Sequence, residues 1–273
     1  MSFFKRSAQK PLLLAAAFLF MVSTPARAEF KTREAAEAAI REQDQLIAKE
    51  PQRAAHYVQR AEAYYLLNDL QRAIDDFSSA LRLDPQQDAA YFGRGMALAR
   101  LGFLDAGIAD LGVYIQRHPD STVAYTKRGV RNIWKGDLGA AEQDLKRAVE
   151  LDAHNAEAHD DLGVVFAKRK RCDLAVTHFA TAIGLDPSYQ KAYHNLGICF
   201  YISGQHQAAL EVVDAGLLLD ADNRSSLVLK AAILSALGHE TEAQKIIERA
   251  EFLPEDNWTE RSTLIDQGAN TQP

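Results

Sequence analysis

The groups in this sequence best suited to chemistry are His159, Asp160, Asp161 and His194, together with the cysteines Cys172 and Cys199. Imidazole and carboxylate side chains make a zinc- or copper-type ligand set. Asp160 and His194 stand 34 residues apart, a separation that recurs throughout the chain. Solvated side chains on a helical surface are the commoner use of such a group, so no metal and no other cofactor is expected. The cysteines have two readings: a disulfide, which an even count permits in an oxidising compartment, or two buried thiols. The sequence puts them on adjacent helices about a helical turn out of level, and reach alone does not fix bridge geometry. The chain lacks a G-x-S-x-G nucleophile turn, a G-x-x-x-x-G-K phosphate loop and an H-E-x-x-H zinc helix. Gly93-Arg94-Gly95 begins like a dinucleotide fingerprint, but Leu98 takes the third glycine's place and no strand precedes it. No catalytic residue is assigned, and the chain reads as non-enzymatic.

The elements that carry these groups recur with a period of 34 residues, without insertion or deletion. Small residues mark the register at Ala61, Gly95, Gly129, Gly163, Gly197 and Ala231, and again at Ala73, Gly107, Ala141, Ala175, Ala209 and Ala243. With Ala54 as position 1, the units are 54–87, 88–121, 122–155, 156–189, 190–223 and 224–257. Positions 4, 7, 8 and 11 have the spacing of one apolar helical stripe. Asn68, Gly102, Gly136, Gly204 and Gly238 follow, residues that tolerate the left-handed conformation ending a helix. A second helix carries Ala73, Phe77 and Ala80, and Pro85, Pro119 and Pro187 stop it in three units. Mid-helix glycines such as Gly163 imply close approach of the paired helix backbone, since each costs about 0.5–1 kcal/mol relative to alanine. Exact repetition at this period predicts a stack of helix pairs whose function lies in its surface.

The fourth unit reads His159-x-x-Leu162-Gly163-x-x-Phe166, then Ala175-x-x-x-Phe179 and Pro187; the fifth has Tyr193, Leu196-Gly197, Phe200 and Ala209. This pattern resembles the tetratricopeptide repeat. The resemblance implies an all-α, right-handed α-solenoid of six helix-turn-helix repeats. An N-terminal half-repeat helix, Thr32 to Glu50 within a capping segment 29–53, precedes it. A short C-terminal cap follows in 258–273, where Asn257 to Gln267 forms a last helix and Trp258 and Leu264 cover the sixth unit. It also implies that first helices line a groove that takes a protein or peptide partner, with groove positions 2, 5, 9, 12 and 13. On this chain those include Tyr65, Phe92, Met96, Arg100, Ile133, Trp134, Lys168, His194 and Tyr201, with Val58 and Ile198 beside them. Tyr65, Trp134 and Tyr201, near helix ends, are expected to be the more exposed. The Lys and Asn clamp by which chaperone-associated members hold a terminal carboxylate is absent: positions 5 and 9 carry residues such as Val58, Glu62, Asp160 and Val164. The run Lys168-Arg169-Lys170-Arg171 reads as a charged turn, or as a contact for an acidic partner or another copy of the chain.

The first residues read as a secretory signal. Lys5, Arg6 and Lys10 precede the 12-residue apolar run Pro11–Val22, and Ala26-Arg27-Ala28 supplies a cleavage motif ending residues 1–28. The run is short of the about 20 residues of a membrane-spanning helix. A periplasmic or secreted bacterial protein is expected. Loss of the four basic residues Lys5, Arg6, Lys10 and Arg27 takes the formal charge from −6 to −10. That balance argues against nucleic acid and anionic lipid, which reward clustered Lys and Arg. The partner is expected to be protein or peptide, with homo-oligomerisation as the alternative use of the surfaces.

Overall fold

The computed structural model describes residues 32–254, and among them there are thirteen helices and no strand. A single helix, α1 (Arg33–Lys49), leads into six hairpins. These are α2 (Ala54–Leu66) with α3 (Leu70–Leu83), α4 (Asp88–Arg100) with α5 (Leu104–Arg117), and α6 (Thr122–Lys135) with α7 (Leu138–Leu151). The remaining three are α8 (Ala156–Lys168) with α9 (Cys172–Leu185), α10 (Gln190–Ile202) with α11 (His206–Leu217), and α12 (Arg224–Ala236) with α13 (Glu240–Glu251). The expected signal segment and the expected C-terminal cap lie outside the described residues.

Local chemistry sets the boundaries. Asp69, Asp137 and Asn155 cap the helices they precede, accepting backbone N–H bonds of 3.2, 3.0 and 2.9 Å. Each hairpin turns through one residue in the left-handed region: Asn68, Gly102, Gly136, Lys170, Gly204 and Gly238, with φ from 60° to 90°. Lys170 does this without glycine's freedom, at φ 61°.

Every helix packs on the next, and α1 covers α2 as half a hairpin would. Contacts also skip one helix, but only among first helices: α2 with α4, α4 with α6, α6 with α8, α8 with α10 and α10 with α12. No second helix reaches the next second helix. The first helices therefore lie on the inner side of a curve, and the array is an open α-solenoid.

Two details differ from the sequence reading. The glycine at position 8 receives a side chain rather than a bare backbone in three of the four units that have one. A Cβ at Gly163 would lie 2.5 Å from Phe179 Cε1, and one at Gly129 would lie 2.7 Å from Leu145 Cγ. Only at Gly95 does the partner's backbone come first, Gly107 O at 2.9 Å. Second, position 7 does not continue the apolar stripe in the first three units. Arg60, Arg94 and Arg128 stand there, each forming a two-pronged pair with position 23, Asp76, Asp110 and Asp144, at 2.6 to 2.9 Å. The fork geometry of guanidinium on carboxylate lets these charges brace the two helices of a hairpin while largely buried. Hydrogen bonding to the aspartates raises the pKa of Arg94 and Arg128. Units four and five use Leu162 with His178 and Leu196 with Val212 at the same places.

Candidate functional site

The inner face carries a trough over units five and six. There α10 and α12 bound a volume of about 610 Å³ lined by His194, Ile198, Arg224, Ser225, Val228, Leu229 and Ala232. Its floor is apolar and reachable from solvent: Val228 is 44% exposed, while Leu229, at 9%, joins the core beneath. The His194 imidazole sits 3.2 Å from Ser226 Oγ, which orients it along the trough edge.

The other residues singled out from sequence scatter. Met96 and Ile133, at 7% and 8% exposure, are core residues, as is Val58. Neighbouring hairpins pack side by side and cover positions that a lone helix pair would expose, so these three drop out of the binding set. Phe92 turns toward α5, its ring 5.1 Å from Tyr114, which stacks on His118. Arg100 reaches back to the first unit, with its guanidinium 5.2 Å from the Tyr65 ring and Nη2 donating to Asn68 Oδ1 at 2.8 Å. Trp134 is half-buried, with the Arg131 guanidinium 4.8 Å from its ring, and Tyr201 meets His206 at 5.4 Å. Lys168 is exposed on the basic turn, where Arg169 pairs with Glu142 and Arg171 with Asp173. Of the nine, only His194 lines the trough.

The four residues considered as metal ligands do not converge. His159 pairs with His178, Nδ1 to Nδ1 at 3.3 Å, and His194 faces Ser226. Asp160 and Asp161 are buried at 0% and 3% rather than solvated, and both are held by Lys191 of the next unit, Nζ at 3.1 and 3.0 Å. Asn195 Nδ2 donates to Asp160 Oδ1 at 2.9 Å. Burial pushes the Asp161 carboxyl up to about 6, with Asp160 and Glu157 adding to the rise and Lys191 opposing it. Burial also works against charge on Lys191, but the two aspartates outweigh it and hold the ammonium well above its ordinary range. Lys127 Nζ with Glu157, at 2.6 Å, repeats the contact one junction earlier, position 6 of one unit to position 2 of the next. Among the described residues no three His, Cys, Asp or Glu side chains are grouped to hold a metal ion.

Cys172, at the start of α9, and Cys199, near the end of α10, lie level with each other because neighbouring helices run antiparallel. The two thiols pack in one core cluster, and burial together with the neighbouring Cys172 thiol pushes Cys199 up to about 12.

Models of the tetratricopeptide repeat match residues 37–102, 135–189 and 161–226. The chain belongs to the tetratricopeptide repeat family. A tetratricopeptide repeat protein from Parabacteroides merdae superposes with a TM-score of 0.69 at 18% identity, over 82% of this chain and 89% of that one. YrrB, a tetratricopeptide protein with an unusual peptide-binding site, superposes at 0.53 with 23% identity, over 68% and 95%. The Cut9–Hcn1 assembly of the APC/C superposes at 0.64 with 20% identity over 79% of this chain, which spans 46% of that chain's length. No curated protein matches the sequence. At these identities the superpositions speak for the fold alone. Tetratricopeptide arrays bind protein or peptide partners, and this one is an interaction scaffold by class. No helix among its described residues is long and apolar enough to cross a membrane.

Sequence reading missed the Arg–Asp braces and the Lys191 contacts. The braces are visible once residues are compared down one repeat position, as Arg60, Arg94 and Arg128 against Asp76, Asp110 and Asp144.

Proposed function

We propose that this protein is a non-enzymatic scaffold of the bacterial periplasm that holds an extended peptide or protein segment in the trough over units five and six. The observation that carries this reading is the trough's floor, where Val228 stays 44% exposed beside Ile198 and Ala232 on the inner side of the curve. A solvent-facing apolar residue in a concavity gives a partner's side chain area to bury. Export rests on the charged, apolar and small-residue order of residues 1–28, and the excess of acidic residues favours a protein partner over nucleic acid.

A photo-reactive residue at Val228 tests it, with the same residue at Thr177 on α9 as the outer-face control. Adducts in an envelope extract at Val228, lost in competition with unlabelled protein, are expected. Adducts at Thr177 and not at Val228 refute the trough. Residues 1–28 retained in the envelope fraction refute export by cleavage after Ala28.

Self-association is the second reading, favoured by Leu218 and Phe252. Both are 88% exposed and both occupy position 29, where the earlier units carry Arg82, Gln116, Glu150 and Gly184. Sedimentation of the native chain and of a Leu218→Ser, Phe252→Ser variant separates the readings: a dimer lost in the variant supports it, and a monomer at all concentrations removes it.

A further inference from the structure

The chain has two cysteines in 273 residues, and they fall on one inter-unit contact. Cys172 holds position 17 of unit four and Cys199 holds position 10 of unit five. One junction earlier the same two positions are Leu138 and Val165, which share a core cluster with both cysteines. At this junction alone are both positions thiols; the others carry Leu70 with Ala97, Leu104 with Arg131 and His206 with Ile233. The two differ in access: Cys172 is partly exposed at the hairpin turn, while Cys199 is 0% exposed. Lys168 and Lys170 are exposed on the turn that leads into Cys172.

We propose that Cys172 and Cys199 are a redox modification site, closed by exchange with an anionic disulfide of the glutathione type into an intramolecular bridge between units four and five. Access sets the order of events. The Cys172 sulfur attacks the external disulfide, forming a mixed disulfide and releasing one thiolate. Cys199, already in contact, then attacks the Cys172 sulfur and expels the second thiolate. Each protein thiol gives up its proton, the two protons end on the two released thiols, and the two electrons reduce the external disulfide. The chain has no third cysteine to compete, so the outcome is one bridge. The bridge ties α9 to α10 and fixes the junction that leads into the trough, whether or not that trough is where a partner binds.

The test uses the full chain, reduced and then exposed to oxidised glutathione, with intact mass and alkylation as readouts. Wild type is expected to lose two hydrogens, to carry no glutathione and to resist alkylation after unfolding, with Cys172 and Cys199 in one linked peptide. Cys199→Ser is expected to accumulate a glutathione adduct at Cys172 that wild type does not retain. Cys172→Ser is expected to leave Cys199 unmodified in the folded protein and alkylated on unfolding. Stable glutathione on wild type, two alkylated thiols after oxidation, or a disulfide-linked dimer overturns the proposal. Should either serine variant fail to fold, the wild-type mass and linked peptide still decide.

Discussion

Gly163→Ala is the sharpest probe of how the hairpins lock. A methyl there would sit 2.5 Å from Phe179 Cε1 and 2.7 Å from Cδ1, and Phe179 is 1% exposed, so its ring cannot swing into solvent. On helix propensity alone, alanine in place of glycine is favourable by about 0.5–1 kcal/mol. Overpacking a closed core costs about 1–3 kcal/mol. The packing cost exceeds the propensity gain, and Gly163→Ala should destabilise by about 0.5–2 kcal/mol. Phe179→Ala alone should cost about 3–5 kcal/mol through the cavity it leaves. In that background the methyl meets no ring, so Gly163→Ala should change sign and stabilise by about 0.5–1 kcal/mol. Urea unfolding followed by circular dichroism measures all four proteins. Gly163→Ala stabilising the wild type, or costing the same in both backgrounds, refutes the notch-and-ring account.

Three further outcomes are expected. Lys170→Gly should raise stability by about 0.5–1 kcal/mol in the same assay, because relief of the φ 61° backbone outweighs the added freedom of the unfolded chain. Asp110→Ala should cost about 2–3 kcal/mol by leaving Arg94, 24% exposed, without its carboxylate. Arg94→Leu with Asp110→Val, copying Leu196 and Val212, should return to within about 1 kcal/mol of wild type. The folded Asp161 carboxyl, at about 6, lies above its ordinary 3.8, so the folded state holds more protons than the unfolded one between those values and stability falls as pH rises through the window. Asp161→Asn should remove that fall; an unchanged slope in urea midpoints between pH 4 and pH 6 counts against it.

The fold was legible because its signal is repeated: the small residues at Gly163 and Gly197, the turn glycines and the helix-stopping prolines each recur in register. The family resemblance places positions 5, 9 and 12 in the groove, and with them Val58, Met96 and Ile133. Ile133, for one, packs in a core cluster with Leu162 and Val165 of the next unit, a contact that no single helix's periodicity encodes. The same limit hid Lys191, whose two carboxylate partners stand 30 and 31 residues away in the preceding hairpin. A stripe template also expects apolar residues at position 7, so Arg60 and its equivalents read as surface until their aspartates are placed opposite them. His194 lines the trough together with Val228, which holds the same repeat position one unit further on.

That no described helix touches one more than two places along the chain has a kinetic side. Each hairpin needs only the one before it as a template, so the loops to be closed are short and the ordering cost of folding comes in small instalments. A chain emerging N-terminus first can thus settle α1 against α2 and add hairpins in succession, without waiting for residues still to come.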